Sequence, residues 1–335
     1  MASAAGGRRL AGALAAAGGV PALADTHARV LAVAESGTQQ QLGRALESDP
    51  ALALAVVRAA NAGGDAGGVG ISGSVARLGA IETRRVAGGV GTYELFESSP
   101  GWGDLPSRFR RHGLATRFAA EQICEVLEDC SRETLVLAAL LHDVGRLVLA
   151  RLYESYPSSL LGADLTPAAR VDRERRSLGI DHALIGGVLT RRWGLPADVS
   201  RAIERHHSDD AVGGAAALRL ADLIANHREG AAVSRDEVGS AASACGMEAA
   251  RLRSLLAADH YRRVEPAVPT QPSPLSRREA SALRGLAEGK VYKQIAADLG
   301  LSPSTIRTHL HNVYRKIGVA DRAQAVLLAR ERGWL

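Results

Sequence analysis

Between Val20 and Phe96 the apolar residues recur at intervals of three and four, and no alternating strand pattern is visible. Pro21–Glu35 puts Leu23, Val30, Leu31 and Ala34 on one helical face, and Gln39–Glu47 follows. Asp49-Pro50 opens the next helix, ALALAVVRAAN, which is apolar enough to be buried. A glycine-rich loop, GGDAGGVG, separates it from two more helices, Ile71–Gly79 and Ile81–Phe96. After a linker at 97–106, helical patterning resumes over Ser107–Leu127, Arg132–Leu152, Asp181–Trp193, Ala197–His207 and Ala215–Arg228. The second of these is apolar on nearly every side, as suits a helix packed at the centre of a bundle. One polar doublet, His142-Asp143, interrupts it. Two further helices are expected between Ala231 and Arg263, and their stripe in EVGSAASACGMEAARLRSLLAAD is a candidate coupling or dimer element.

The C-terminal pattern is sharper. Ser276 with Glu279 forms a capping box that opens a helix. A second helix runs from about Val291 to Leu299, and Gly300 stands where a left-handed C-terminal residue is wanted. Ser302 is a good N-cap, Pro303 fits the first helical position, and the third helix runs to Ile317 before Gly318. This is the pattern of a helix–turn–helix. Ile306, Leu310, Val313 and Ile317 make the apolar face, while Ser304, Thr308, His311 and Arg315 lie opposite with Arg307 on the flank. Such a polar face suits a major groove, where Arg reads guanine and Thr or His reaches base edges. An ordinary solvated amphipathic helix has the same periodicity. Asp321 with Gln324 repeats the capping device at a last helix, where Ala323, Val326 and Leu327 form an apolar patch.

Charge separates these alternatives. Residues 275–335 hold 11 Lys or Arg against 5 Asp or Glu, a net +6 in a chain whose total is +5. The basic excess is confined to this segment, as phosphate binding requires, and all three lysines (Lys290, Lys293, Lys316) lie in it. Composition adds less. The chain is rich in Ala, Gly and Arg with 4% aromatic residues, which fits an almost all-helical protein of two domains. Cys124, Cys130 and Cys245 show no metal spacing and are expected to be reduced thiols. Arg8-Arg9, an Ala/Leu/Gly run and Ala22-Leu23-Ala24 mimic a secretion signal, but Gly12, Gly18 and Gly19 break the run. A cytoplasmic location without a membrane span is therefore expected.

A buried His-Asp doublet needs partners, because unpaired buried polar groups are costly. His112, His182, His206, His207 and Asp222 are available. Imidazoles and carboxylates together suit a divalent Zn, Fe, Mn or Ni ion, one ion taking three or four of them. A hydrogen-bonded cluster tying helices together would use the same residues.

Two resemblances bear on these patterns. LSRRE at 275–279, KQIA at 293–296, LSPSTIRTHL at 301–310 and VYRKIGV at 313–319 resemble the LuxR-type helix–turn–helix over about 60 residues. The resemblance implies a bacterial, four-helix module that binds double-stranded DNA and dimerises through its last helix. By motif position it implies Arg307, Thr308 and His311 at bases, with Lys293, Thr305 and Arg315 near phosphates. Arg307 and Gln294 stand where Lys and Glu are more usual, which bears on base preference and not on the fold.

HDVGRLVL at 142–149, ALESDPALALAVVRAAN at 45–61, DHALIGGVLTRRWGLP at 181–196 and IERHH at 203–207 resemble the HDOD domain, a relative of the HD phosphohydrolases. The resemblance covers residues 18–230. It implies an all-α fold, a helical subdomain packed on an HD-like bundle, that serves as a signalling or interaction domain. His112, His142, Asp143, His182, His206, His207 and Asp222 match HD-superfamily ligand positions. Two departures stand out: Arg146 replaces the usual Lys, and SDDAVGG follows His206-His207 in place of a Gly-Tyr-Pro loop. The second argues against hydrolysis of cyclic di-GMP.

The expected partition is a lead-in at 1–17, an HDOD domain at 18–230 (subdomains 18–96 and 107–230), connecting helices at 231–265, a proline-rich linker at 266–274 and a DNA-binding domain at 275–335. The expected function is transcription regulation, with an HDOD signalling domain controlling a helix–turn–helix that dimerises through its last helix or through 231–265. A small molecule or a protein would supply the signal. The alternatives are a metal-dependent phosphohydrolase acting on a nucleotide or cyclic dinucleotide, with a DNA-binding tail, and a metal-free interaction scaffold.

Overall fold

In this computed structural model, residues 17, 19–63, 68–93, 105–153, 156, 166–264, 273–287, 290–319, 321–331 and 334 are described. They form two compact units, residues 1–255 and 256–335. The expected lead-in, the centre of the glycine-rich loop and most of the two linkers lie outside the described residues.

The first unit opens with α1 (Ala24–Ser36), α2 (Gln39–Leu46), α3 (Pro50–Asn61) and α4 (Ile71–Gly88). Asp49 organises this end. One carboxylate oxygen caps α3 through Ala51 N at 3.0 Å; the other accepts from Leu23 N and Thr26 Oγ1 at 3.0 and 2.9 Å. Behind that cap, Leu52, Leu54, Val56 and Val57 are fully buried, as the apolar run of α3 predicts.

Three expectations need correction here. The two helices expected from Ile71 to Phe96 are parted as expected where Gly79 leaves helical geometry (φ 71°, ψ 173°), but the second ends at Gly88 and not at Phe96. Thr92-Tyr93 instead forms β2, a two-residue parallel bridge to β1 (Ala22–Leu23). A bridge this short has no alternation for a pattern to reveal. Third, Cys124 and Cys130 are bonded to each other rather than free, their Cα atoms 5.1 Å apart, and only Cys245 is a free thiol.

The rest of the unit is a bundle of α5 (Leu105–Val126), α6 (Arg132–Leu141), α7 (Val144–Leu152), α8 (Pro167–Leu178), α9 (His182–Arg192), α10 (Ala197–Arg205) and α11 (Gly213–Arg228). The α12 (Arg235–Ala244) and α13 (Ala249–Val264) helices follow. The long central helix expected at 132–152 is thus two helices, broken at His142-Asp143. Every residue of α6 from Leu135 to Leu141 is buried, as are Val144, Gly145 and Leu147–Leu149 of α7. The break lets α7 leave on a new course while the doublet stays at the centre. Part of the 231–265 stripe is already in use: Ala241, Ala242 and Met247 are buried within the unit.

The second unit contains α14 (Arg277–Ala287), α15 (Tyr292–Leu299), α16 (Pro303–Ile317) and α17 (Arg322–Glu331). Its core joins Leu283 and Leu286 of α14, Ile295 of α15, Ile306, Leu310 and Val313 of α16, and Ala325 and Ala329 of α17. The expected caps are present. Gly300 and Gly318 are left-handed, Ser302 Oγ accepts from Thr305 N at 3.1 Å, and Ser276 and Glu279 exchange both capping-box bonds.

Candidate metal centre and nucleic-acid face

The seven histidines and aspartates singled out in the first unit converge. His112 comes from α5, His142 and Asp143 from the α6–α7 break, and His182 from the first turn of α9. His206 and His207 follow the end of α10, and Asp222 comes from α11. All but the half-buried His207 are buried. Neighbouring rings lie 3.9–5.6 Å apart between centroids. Gly145 makes room for this convergence: a Cβ there would lie 2.0 Å from the His182 carbonyl oxygen, so α7 could not meet the start of α9 with any larger residue.

Hydrogen bonds fix which nitrogen of each ring faces inward. His142 Nδ1 lies 2.9 Å from the Ala139 carbonyl and His206 Nδ1 2.6 Å from that of Ile203. A carbonyl only accepts, so both Nδ1 atoms donate and both Nε2 atoms face inward. His182 Nδ1 is likewise held at 2.7 Å by the Glu174 carboxylate, and its Nε2 lies 3.3 Å from Asp143 Oδ1 and 3.2 Å from His207 Nε2. His142 Nε2, His206 Nε2 and Asp143 Oδ1 are all buried without a hydrogen-bond partner. Three buried polar atoms left unpaired side by side is an arrangement that proteins normally avoid.

His112 is different. Its Nε2 lies 2.9 Å from Asp222 and its Nδ1 2.9 Å from Glu229. Burial opposes charge on this ring, but the two carboxylates outweigh it and push its pKa up to about 10. His112 is therefore an imidazolium at neutral pH, donating from both nitrogens. His206 goes the other way: burial, then the neighbouring His142 and His182, pull it down to about 3. Burial also holds His207 well below its usual value. Burial would raise Asp143, but Arg146, whose Nη1 is 2.8 Å from Oδ2, and the surrounding histidines hold it ionised. Asp222 is likewise held low against burial, chiefly by His112.

The doublet and its five partners were visible in the sequence; Glu174, Glu229 and the inward course of Arg146 were not. Glu174 lies on α8, whose charged sequence AARVDRERRSL has little apolar signal. Its start was legible nonetheless: Thr166 caps Ala169 N at 3.1 Å and Pro167 takes the first position.

These shifts set the pH dependence of the metal-free protein. The raised His112 pKa contributes stability that is complete below about 6.5 and is lost as pH climbs towards 10. The lowered His206 pKa does the reverse, because below 6.5 an unfolded chain takes a proton that the folded one refuses until about pH 3. Chelator-treated protein is expected to melt highest near pH 6–7. On the acid side each refused proton costs about 1.4 kcal/mol per pH unit, on the order of 3–5 °C. His206→Gln is expected to shallow that acid limb by roughly half, leaving His207 to supply the rest. An unchanged acid limb by scanning fluorimetry would count against the assigned protonation.

In the second unit, Arg307, Thr308, His311 and Arg315 are exposed along the outward face of α16, with Lys293 exposed on α15 and Thr305 half-buried. Lys316 does not join this face, because its Nζ pairs with Glu279 of α14 at 2.7 Å. On α17 Val326 is half-buried; the side chains of Ala323 and Leu327 lie outside the described residues.

A helical bundle that gathers a His-Asp doublet and further histidines at one buried point is an HD-type domain, here followed by a helix–turn–helix unit. Residues 20–209 match the HDOD domain, and the chain belongs to that family; residues 273–329 match the bacterial regulatory proteins of the luxR family. Asp222 and Glu229 lie beyond the HDOD match. The crystal structure of the MmoQ response regulator from Methylococcus capsulatus is similar at 26% identity and a TM-score of 0.57, over 71% of this chain and 97% of that one. Among curated relatives, the uncharacterized transcriptional regulatory protein YhcZ of Bacillus subtilis is 49% identical over 55 residues, 16% of this chain. The probable transcriptional regulatory protein NarL of Mycobacterium tuberculosis is 42% identical over 71 residues, 21% of this chain. The chain covers only 26% and 31% of those two proteins' lengths. No helix among the described residues is long and apolar enough to cross a membrane.

Proposed function

We propose that this protein is a transcription regulator whose HDOD domain holds a divalent ion and thereby governs DNA binding by the luxR-type unit. One observation carries the control half: the inward Nε2 atoms of His142 and His206 and Oδ1 of Asp143, buried together with nothing to bond. The three residues lie within ligand-sharing distance of each other. Two imidazoles and a carboxylate, each ring oriented by an outer acceptor, fit a first-row divalent metal. His112 with Asp222, and His182 with His207, flank this triad as further donors. His112 must give up its proton to serve. The bound ion would supply fixed positive charge that neutralises the cluster and cross-links α6, α7 and α10.

The DNA half rests on the exposed polar face of α16, with Arg307, Thr308 and His311 at bases and Lys293, Thr305 and Arg315 at phosphates. Tight binding calls for two such units, so the protein acts as a dimer on DNA, through α17 or through α12–α13. Hydrolysis is the less favoured reading, because Arg146 already occupies Asp143 Oδ2 with a fixed positive charge.

The control is tested by measuring affinity of the full-length protein for a selected duplex with chelator and with added Mn2+. The expected change is at least about fivefold, the lower end of ordinary allosteric coupling, in either direction. His206→Ala is expected to abolish that response while retaining DNA binding. DNA affinity that ignores the ion in protein shown to bind it would refute the coupling.

A further inference from the structure

Away from the histidine cluster, the first unit contains a second concave site. A cleft of about 880 Å³ lies where α3 and α4 meet the end of α9. Its volume is within the usual span for small-molecule sites. Part of the lining is apolar: Ala51, Ala55 and Ala59 of α3, with Val86 and Val90. The lining also includes Arg58, Arg85, Arg191, Arg192 and Trp193, and no carboxylate is among the described lining residues. Glu82 and Glu204, outside the lining, grip Arg85 and Arg191: Arg85 Nε donates to Glu82 at 2.8 Å and Arg191 Nη2 to Glu204 at 3.1 Å. Arg58 lies over the Trp193 ring at 4.8 Å. The cleft thus brings together small apolar side chains, an indole ring and several guanidiniums.

We propose that this cleft binds an anionic small molecule with a planar ring, of the nucleotide class, the base packing among the alanines and Trp193 and the phosphates held by the cleft's guanidiniums, Arg192 among them. A guanidinium stacked on an aromatic ring is pre-organised for a phosphate, which accepts bidentate hydrogen bonds from its fork. Arg58 is also half-buried, and burial pulls its pKa down. A partly dehydrated cation gains more from an incoming anion than a hydrated one does. The site is separate from the metal triad, though α9 reaches from it to His182 of the wider histidine cluster. The α9 helix begins at His182 and ends at Arg192, about 16 Å at the usual helical rise.

The test is calorimetric titration of the full-length protein with AMP, GTP and a cyclic dinucleotide, each compared with adenosine and inorganic pyrophosphate. At least one nucleotide is expected to bind with a Kd below about 100 μM, and at least about tenfold more tightly than either half-molecule. Arg192 is exposed, so Arg192→Gln keeps the fold and is expected to weaken that nucleotide about tenfold or more. Trp193→Leu is expected to weaken the nucleotide but not pyrophosphate, and His206→Ala to leave nucleotide binding unchanged. The proposal is overturned if no nucleotide binds below about 1 mM. Pyrophosphate matching the nucleotides, or binding that survives Arg192→Gln and disappears in His206→Ala, also overturns it. None of these results touches the DNA or metal readings, which rest on other residues.

Discussion

Full-length protein titrated with Mn2+ or Zn2+ is expected to take up one ion per chain, and His206→Ala to weaken that uptake by at least about 100-fold. Loss of even an outer residue that orients a ligand typically weakens metal binding by about 10–100-fold, and removing a ligand should exceed that. His206 is singled out because nothing competes for its inward nitrogen. Burial and the neighbouring imidazoles keep it neutral down to about pH 3, and its Nε2 has no other partner. His112→Ala is expected to have a smaller effect, at most about tenfold near neutral pH. That ring is an imidazolium bound on both sides by Asp222 and Glu229, and must lose a proton before it can act as a ligand. Raising the pH should narrow the gap between the two variants. The measurement is calorimetry, with metal content of the purified protein as a check. If His112→Ala removed the ion as completely as His206→Ala at pH 7, the proton assignment would be wrong and the ion would sit nearer α5 and α11.

The second large effect concerns the DNA face. Arg307→Ala is expected to lose about 1–3 kcal/mol on the preferred duplex, roughly 5- to 150-fold, while binding to random duplex changes little. Lys293→Ala is expected to weaken every duplex alike and to flatten the dependence of log affinity on log salt by about one unit per binding unit. The distinction follows from placement. Arg307 is exposed on the flank of α16 beside outward Thr308, away from buried Ile306, Leu310 and Val313, whereas Lys293 is exposed on the preceding helix. A gel-shift series across salt concentrations with specific and random competitor separates the two. Equal loss on both duplexes in Arg307→Ala would mean that a different side of α16 enters the groove.

How much was legible depended on how local each feature is. Ser302, Pro303, Gly300 and Gly318 mark the ends of α15 and α16 correctly, because a cap is decided by four or five consecutive residues. The buried stripe of α16 was legible for the same reason. The apolar run Arg132–Leu152 shows where the approach fails: each half is helical, but the break at His142-Asp143 left no trace in the periodicity. The charged helix α8 went unread because it buries little beyond Val171 and Glu174. The cysteines were misjudged because spacing says nothing about whether two chain segments turn back on each other.

On its own, the sequence determined that this chain is almost entirely helical, that its basic charge gathers behind a groove-sized helix, and that histidines and aspartates suited to a metal are present. These follow from spacing and side-chain chemistry that neighbours along the chain settle between themselves. Only the tertiary structure decided what those side chains do. His112 meets Asp222 across 110 residues of chain, and Glu229 across 117. Which ring keeps a proton, which nitrogen points inward and which carboxylate is already taken by Arg146 are set by distances of about 3 Å between distant segments. Periodicity contains no information about such distances, since it fixes the direction in which a residue faces and not what it will face.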